Sequence, residues 1–195
     1  MFIMGFEITD EPELVEGISE EIQQIHEEAT NLILDDKYEE AEEMLKEVVA
    51  AAPSFHSAYN QLALVYELQG RQQEARALVE ETHARFPDYL FARVALARML
   101  TREKRLEEAR GLLKPVLLLT KLHISEFRAL VRAEMDLALA DSQAEEARTW
   151  LEMWQQVEED NPELLQWRMR IDGPDKLLGD LQKLFGRSRR KKRRR

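Results

Sequence analysis

The chain contains no cysteine. Disulfides and thiolate metal sites are thereby excluded, and nothing ties the protein to an oxidising compartment. Glycine is scarce as well. The seven present (Gly5, Gly17, Gly70, Gly111, Gly173, Gly179 and Gly186) never cluster, so the sequence holds no phosphate-cradling loop and nucleotide binding is not expected. No apolar run approaches the ~18 residues that a membrane-spanning helix needs. The apolar start, Met1 to Phe6, runs directly into Glu7, Asp10, Glu11 and Glu13, too short and too acidic for a secretory signal. The expected location is cytoplasmic.

Catalytic groupings are equally sparse. His26-Glu27-Glu28-Ala29-Thr30 approaches the zinc-protease pattern His-Glu-x-x-His, but Thr30 stands where the second imidazole would share the metal. His56, His83 and His123 are isolated in sequence, and no serine lies in a Gly-x-Ser-x-Gly elbow. The acidic pairs Asp35-Asp36, Glu39-Glu40 and Glu42-Glu43 fall on the polar side of helical patterns. A carboxylate there is solvated, whereas a general acid needs a partly desolvated pocket. The expectation is a non-enzyme with no cofactor and no metal.

What is abundant is helix-forming residues: Ala, Leu, Glu, Arg and Gln dominate, interrupted by only seven Gly and six Pro. Ala41, Ala75 and Ala109 stand 34 residues apart, each followed four residues later by Leu45, Val79 or Leu113, and Pro53 and Pro87 keep the same interval. Such a period in a helical sequence means stacked helical hairpins, because one hairpin cannot bury its apolar face alone. Pro115 falls inside the second helix of the third unit and predicts a break near Leu113–Lys114. From Ala109 to Ala147 the interval is 38, which reads as a fourth unit beginning about four residues late. Trp150, Trp154 and Trp167 are suited to sealing the end of the stack.

The second unit carries Tyr59, Leu62, Ala63, Tyr66, Gly70, Ala75 and Pro87 in the order and spacing of the tetratricopeptide repeat, and the chain resembles that family. The resemblance implies an all-α fold, a right-handed superhelical solenoid of about four hairpins with approximate repeats at 22–55, 56–89, 90–123 and 125–162. Residues 1–21 are expected to form an acidic lead-in, 22–172 the array, 173–186 a capping helix or, alternatively, an amphipathic helix that binds a membrane surface together with the tail behind it, and 187–195 a disordered polybasic tail.

In that family the first helix of each hairpin lines a concave groove. Its ligand-facing positions fall here on Gln23, His26, Thr30 and Ile33, then Ser57, Asn60, Leu64 and Glu67, then Phe91, Val94, Arg98 and Thr101. With the register shifted for the late fourth unit, Arg132 and Asp136 follow. The clamp that grips chaperone tails in this family places Lys, Asn and Arg where this chain has His26, Thr30, Gln61, Phe91 and Ala95, so that specificity is not expected. The candidate peptide-binding residues are His26, Asn60, Leu64, Phe91, Val94, Arg98 and Arg132. Asn60 suits a peptide backbone, Leu64 and Phe91 an apolar anchor, and the arginines a carboxylate.

A net charge of −10 conceals strong polarity. Residues 7–47 carry 16 acids against Lys37 and Lys46, while Arg187, Arg189, Arg190, Lys191, Lys192, Arg193, Arg194 and Arg195 close the chain. The tail suits RNA, DNA or anionic lipid, and the charge asymmetry allows weak self-association. Were all eight cations to meet nucleic acid, log affinity would fall with log salt at a slope of about −6 to −7. The leading expectation is a non-catalytic adaptor that holds a peptide segment of another protein in its groove. The alternative is a nucleic-acid- or anionic-membrane-associated factor attached by the tail, with the array recruiting protein.

Overall fold

Helix formers broken at regular intervals give four successive hairpins: α1 (Glu20–Leu34) with α2 (Tyr38–Ala51), α3 (His56–Leu68) with α4 (Gln72–Arg85), α5 (Leu90–Arg102) with α6 (Leu106–Leu113), and α7 (Ile124–Ala140) with α8 (Ala144–Val157). A further helix, α9 (Glu163–Asp172), packs on α8. This computed structural model describes residues 2–3, 5–10 and 17–173, the first two by their backbone alone. The capping helix expected beyond Gly173 and the polybasic tail lie outside the described residues. Each hairpin packs on the next, so the array is a helical solenoid held by neighbour contacts.

The small residues set that stacking. Ala41, Ala75, Ala109 and Ala147 are each fully buried, and a methyl group at those points lets paired helices approach closely while Leu45, Val79, Leu113 and Leu151 fill the space beside them. The same period is written into the backbone. Left-handed φ values occur at Asp36, Gly70, Lys104 and Ser142, each just beyond the end of the first helix of its hairpin. Only one of the four is the glycine that such a helix end favours. Lys104→Gly is therefore expected to stabilise the protein by about 0.5–1 kcal/mol in urea unfolding. Lys104→Ala, which retains a Cβ, should show no such gain.

The long interval before Ala147 has a different cause from a late fourth hairpin. Helices α3, α5 and α7 begin at His56, Leu90 and Ile124, still 34 apart. The four extra residues instead lengthen α7, which has 17 residues against 13 in α3 and α5. Four residues make roughly one α-helical turn, so the addition extends the far end of α7 without rotating its inner face. Before α7, α6 stops at Leu113 after only 8 residues, ahead of Pro115, and a short 3₁₀ turn (Val116–Leu118) follows.

The helical array carries one addition that the sequence pattern does not reveal. Strands β1 (Phe2–Ile3), β2 (Phe6–Thr9) and β3 (Lys121–His123) form a small sheet in that order, β1 antiparallel to β2 and β2 parallel to β3. The Glu7 amide donates to the Thr120 carbonyl at 2.7 Å. Phe6 is buried in the same core as Leu122 and Phe127, so the start of the acidic lead-in is tied to the junction of hairpins three and four. The last residue of β3, His123, caps α7, its backbone amide donating to Glu126 at 2.9 Å.

Two main cores result. One joins Leu45, Val48, Phe55, Leu62 and Val65 across hairpins one and two. The larger runs from α5 to α9 around Phe127, Leu130, Met135 and Trp154. Between them lies a small cluster of Ala63, Ala75, Val79 and Met99. Trp150, Trp154 and Trp167 are all buried in the larger core, at the end of the array that α9 covers.

Candidate functional site

The first helices of hairpins two, three and four present matching faces to one cavity of about 370 Å³. α3 contributes Asn60, Ala63, Leu64 and Glu67; α5 contributes Phe91, Val94, Ala95, Arg98, Met99 and Arg102; α7 contributes Ser125, Arg128, Ala129 and Arg132. Within each helix these residues recur at intervals of three and four, which places them along one face. Between helices they recur at 34, as in Asn60, Val94 and Arg128, or Leu64, Arg98 and Arg132. The alanines leave the space, and Val79 and Met99 place its floor over the thin layer between the two cores.

Six of the seven candidate residues read from the sequence line this cavity: Asn60, Leu64, Phe91, Val94, Arg98 and Arg132. His26 does not. Its ring lies 4.7 Å from Phe55, its Nε2 is 3.3 Å from Ser57 Oγ, and burial lowers its pKa, so the imidazole serves the contact between hairpins one and two. Thr101, another position on the inferred inner face, is buried and donates its hydroxyl hydrogen to the Ala97 carbonyl at 2.9 Å. Sequence reasoning missed Ser125 and Arg128 because it shifted the register of the fourth hairpin. Adding 34 to Phe91 and Val94 without a shift finds both.

The arginines differ in how fully they are engaged. Arg128 donates from Nε to Glu158 at 2.7 Å and also from Nη2. With Trp154 Nε1 donating to the same carboxylate at 2.8 Å, Glu158 is held at a pKa of about 2, principally by Arg128. Arg132 grips Glu163 through Nε at 2.8 Å and through Nη2, and its guanidinium lies 5.2 Å from the Trp154 ring. Arg102 reaches Glu67 at 2.9 Å. Arg98 uses only Nε, at 3.1 Å from Asp136, which also accepts from Arg170 at 2.8 Å. Among the described residues both terminal nitrogens of Arg98, Nε and Nη2 of Arg102 and the Asn60 side-chain amide make no hydrogen bond, so these are among the open polar groups of the cavity. Among the described residues, too, no group of His, Asp and Glu is arranged to hold a metal ion, and no helix is long and apolar enough to cross a membrane.

Comparison with known proteins agrees with this architecture. The tetratricopeptide repeat family model matches residues 68–134. A putative kinesin light chain of Podosopora anserina, with nearly identical TPR-like repeats, superposes with a TM-score of 0.55 at 24% identity, over 90% of this chain and 97% of that one. MamA from Desulfovibrio magneticus RS-1 gives 0.54 at 15% identity, over 89% and 98%. A tetratricopeptide repeat protein of Parabacteroides merdae gives 0.53 at 16% identity, over 87% and 68%. A search of curated proteins found no significant match.

The fold is thus an all-α solenoid of stacked helical hairpins, the architecture of the solved structures it superposes on. In particular, residues 68–134 match the tetratricopeptide repeat, and the hairpins on either side stack in the same way.

Proposed function

We propose that the protein is an adaptor whose cavity between α3, α5 and α7 receives an extended or helical segment of a partner protein. An apolar side chain of that segment enters between Leu64, Phe91 and Val94 and thickens the sparse packing between the two cores. An acidic group adjoining it binds Arg98, and Asn60 takes a backbone amide or carbonyl. The observation that carries this reading is the coincidence, in one cavity, of an apolar floor with an arginine whose two terminal nitrogens are open.

The engagement of the arginines ranks their effects. Arg98→Ala is expected to weaken binding of the partner segment by roughly 10- to 100-fold, the scale of one charge-assisted hydrogen-bonded contact. Arg132→Ala should act mainly on thermal stability, since it strands Glu163. A segment recovered by pull-down at two salt concentrations, then titrated calorimetrically against both variants, supplies the measurement. Unchanged affinity in Arg98→Ala would remove the groove reading.

A further inference from the structure

Three consecutive leucines stand in solvent at the break between the third and fourth hairpins. Leu117, Leu118 and Leu119 are 41%, 77% and 45% exposed. They are not part of a loose loop. Val116 on one side and Leu122 on the other are buried in the main core, and β2 pairs with β3 directly after the turn. Pro115 ends α6, the chain tightens into a 3₁₀ turn, and the leucines are held outward by anchors at both ends. Leaving such side chains in water is unfavourable, and contiguous exposed apolar surface of this kind marks an interaction site.

The shape of the turn narrows the choice of partner. Leu117 and Leu118, successive residues of the 3₁₀ turn, point about 120° apart, and Leu119 follows in extended backbone, so the exposed leucines do not form one flat face. A protein surface would have to supply a separate pocket for each. An acyl-chain layer solvates apolar groups pointing in any direction, so diverging side chains can enter it together. Lys114 and Lys121 flank the leucines and are exposed, with stems long enough to lie along apolar surface while their ammonium groups meet headgroup phosphates.

We propose that the 117–119 turn is a lipid-insertion site that docks this end of the solenoid on an anionic bilayer surface. The site is separate from the groove, and its success or failure leaves the groove reading untouched. The cations at 187–195 would add attraction to the same surface.

Because the chain has no cysteine, Leu118→Cys in the full-length protein gives a single thiol for an environment-sensitive fluorophore. Vesicles of phosphatidylcholine with about 30 mol% phosphatidylglycerol, which supply the negative surface potential, should shift its emission to the blue. Brominated acyl chains should quench it. A fluorophore at Leu34→Cys, equally exposed at 77% on hairpin one, should not respond. Replacing Leu117, Leu118 and Leu119 together by Ser should lower vesicle partitioning at least about tenfold with no loss of melting temperature. Three results would overturn the proposal: no binding to vesicles, binding without a response at position 118 (attachment by the tail alone), or a response that rises with protein concentration in the absence of lipid, which would assign the turn to a second copy of the chain.

Discussion

Trp154→Ala is expected to remove about 3–5 kcal/mol of stability, a large fraction of the 5–15 kcal/mol or so that holds a typical domain. Trp154 is fully buried in the larger core, its ring lies 5.2 Å from the Arg132 guanidinium, and its Nε1 donates to Glu158 at 2.8 Å. Truncation would leave a void, deprive the Glu158 carboxylate of a donor and loosen the Arg128 and Arg132 ion pairs on the cavity wall. In a solenoid the damage should remain near its origin. Hairpin one and α3 have a core of their own, so urea unfolding followed by circular dichroism should change from one transition to two, the earlier belonging to α7–α9. A loss below about 1 kcal/mol, no more than an average point substitution produces, would show that this indole is not what closes the C-terminal core.

Glu134→Gln should act in the opposite direction and depend on pH. Glu134 is buried on α7, 34 residues beyond the buried Leu100 of α5. Burial and then the nearby Glu146 carboxylate raise its pKa to about 7, against the opposing pull of Arg110. A carboxyl group with a folded-state pKa above its unfolded value favours the native state only while protonated. Its contribution is fully present below pH 4.5 and is lost as pH rises toward 7. The glutamine variant has no proton to lose. Its advantage over the wild type should grow from pH 4.5 to a plateau above pH 7 on the order of 3 kcal/mol, by proton linkage. Chemical denaturation at pH 5 and pH 8 provides the comparison, and an advantage of equal size at both values would exclude titration of Glu134 as the cause.

Much of the architecture is legible along the chain because a helical repeat is a local object. The spacing of Ala41, Ala75 and Ala109 gives the period directly, and each alanine is buried where helices meet. Pro115 marks the end of α6 for a reason internal to the backbone. The inner face is legible for the same reason, since residues three and four apart on a helix share a side. The error at the fourth hairpin is equally instructive. Four extra residues in sequence can delay a helix or lengthen one, and the spacing of alanines alone does not distinguish the two. The start of α7 at Ile124 does, and it brings Ser125 and Arg128 into the cavity.

Other features have no local signature. The pairing of Glu7 with Lys121 joins segments more than a hundred residues apart, and neither Phe6–Thr9 nor Lys121–His123 is long enough to show a strand pattern. Likewise, the sequence presents Arg98 and Arg132 as equivalent. Whether an arginine is open to a ligand depends on carboxylates brought up from other helices: Glu163 reaches Arg132 with both oxygens, whereas Asp136 reaches only Nε of Arg98.

By itself, the sequence determined that this protein is a stack of helical hairpins with one residue face turned inward, because period, helix propensity and the placement of small side chains act over a few tens of residues. Tertiary structure alone decided which inward arginines keep open donors, where the N-terminal strand docks and which leucines are held out in water. Those outcomes depend on contacts between segments far apart in the chain, and the free energy of such a contact belongs to the pair, not to either residue read alone.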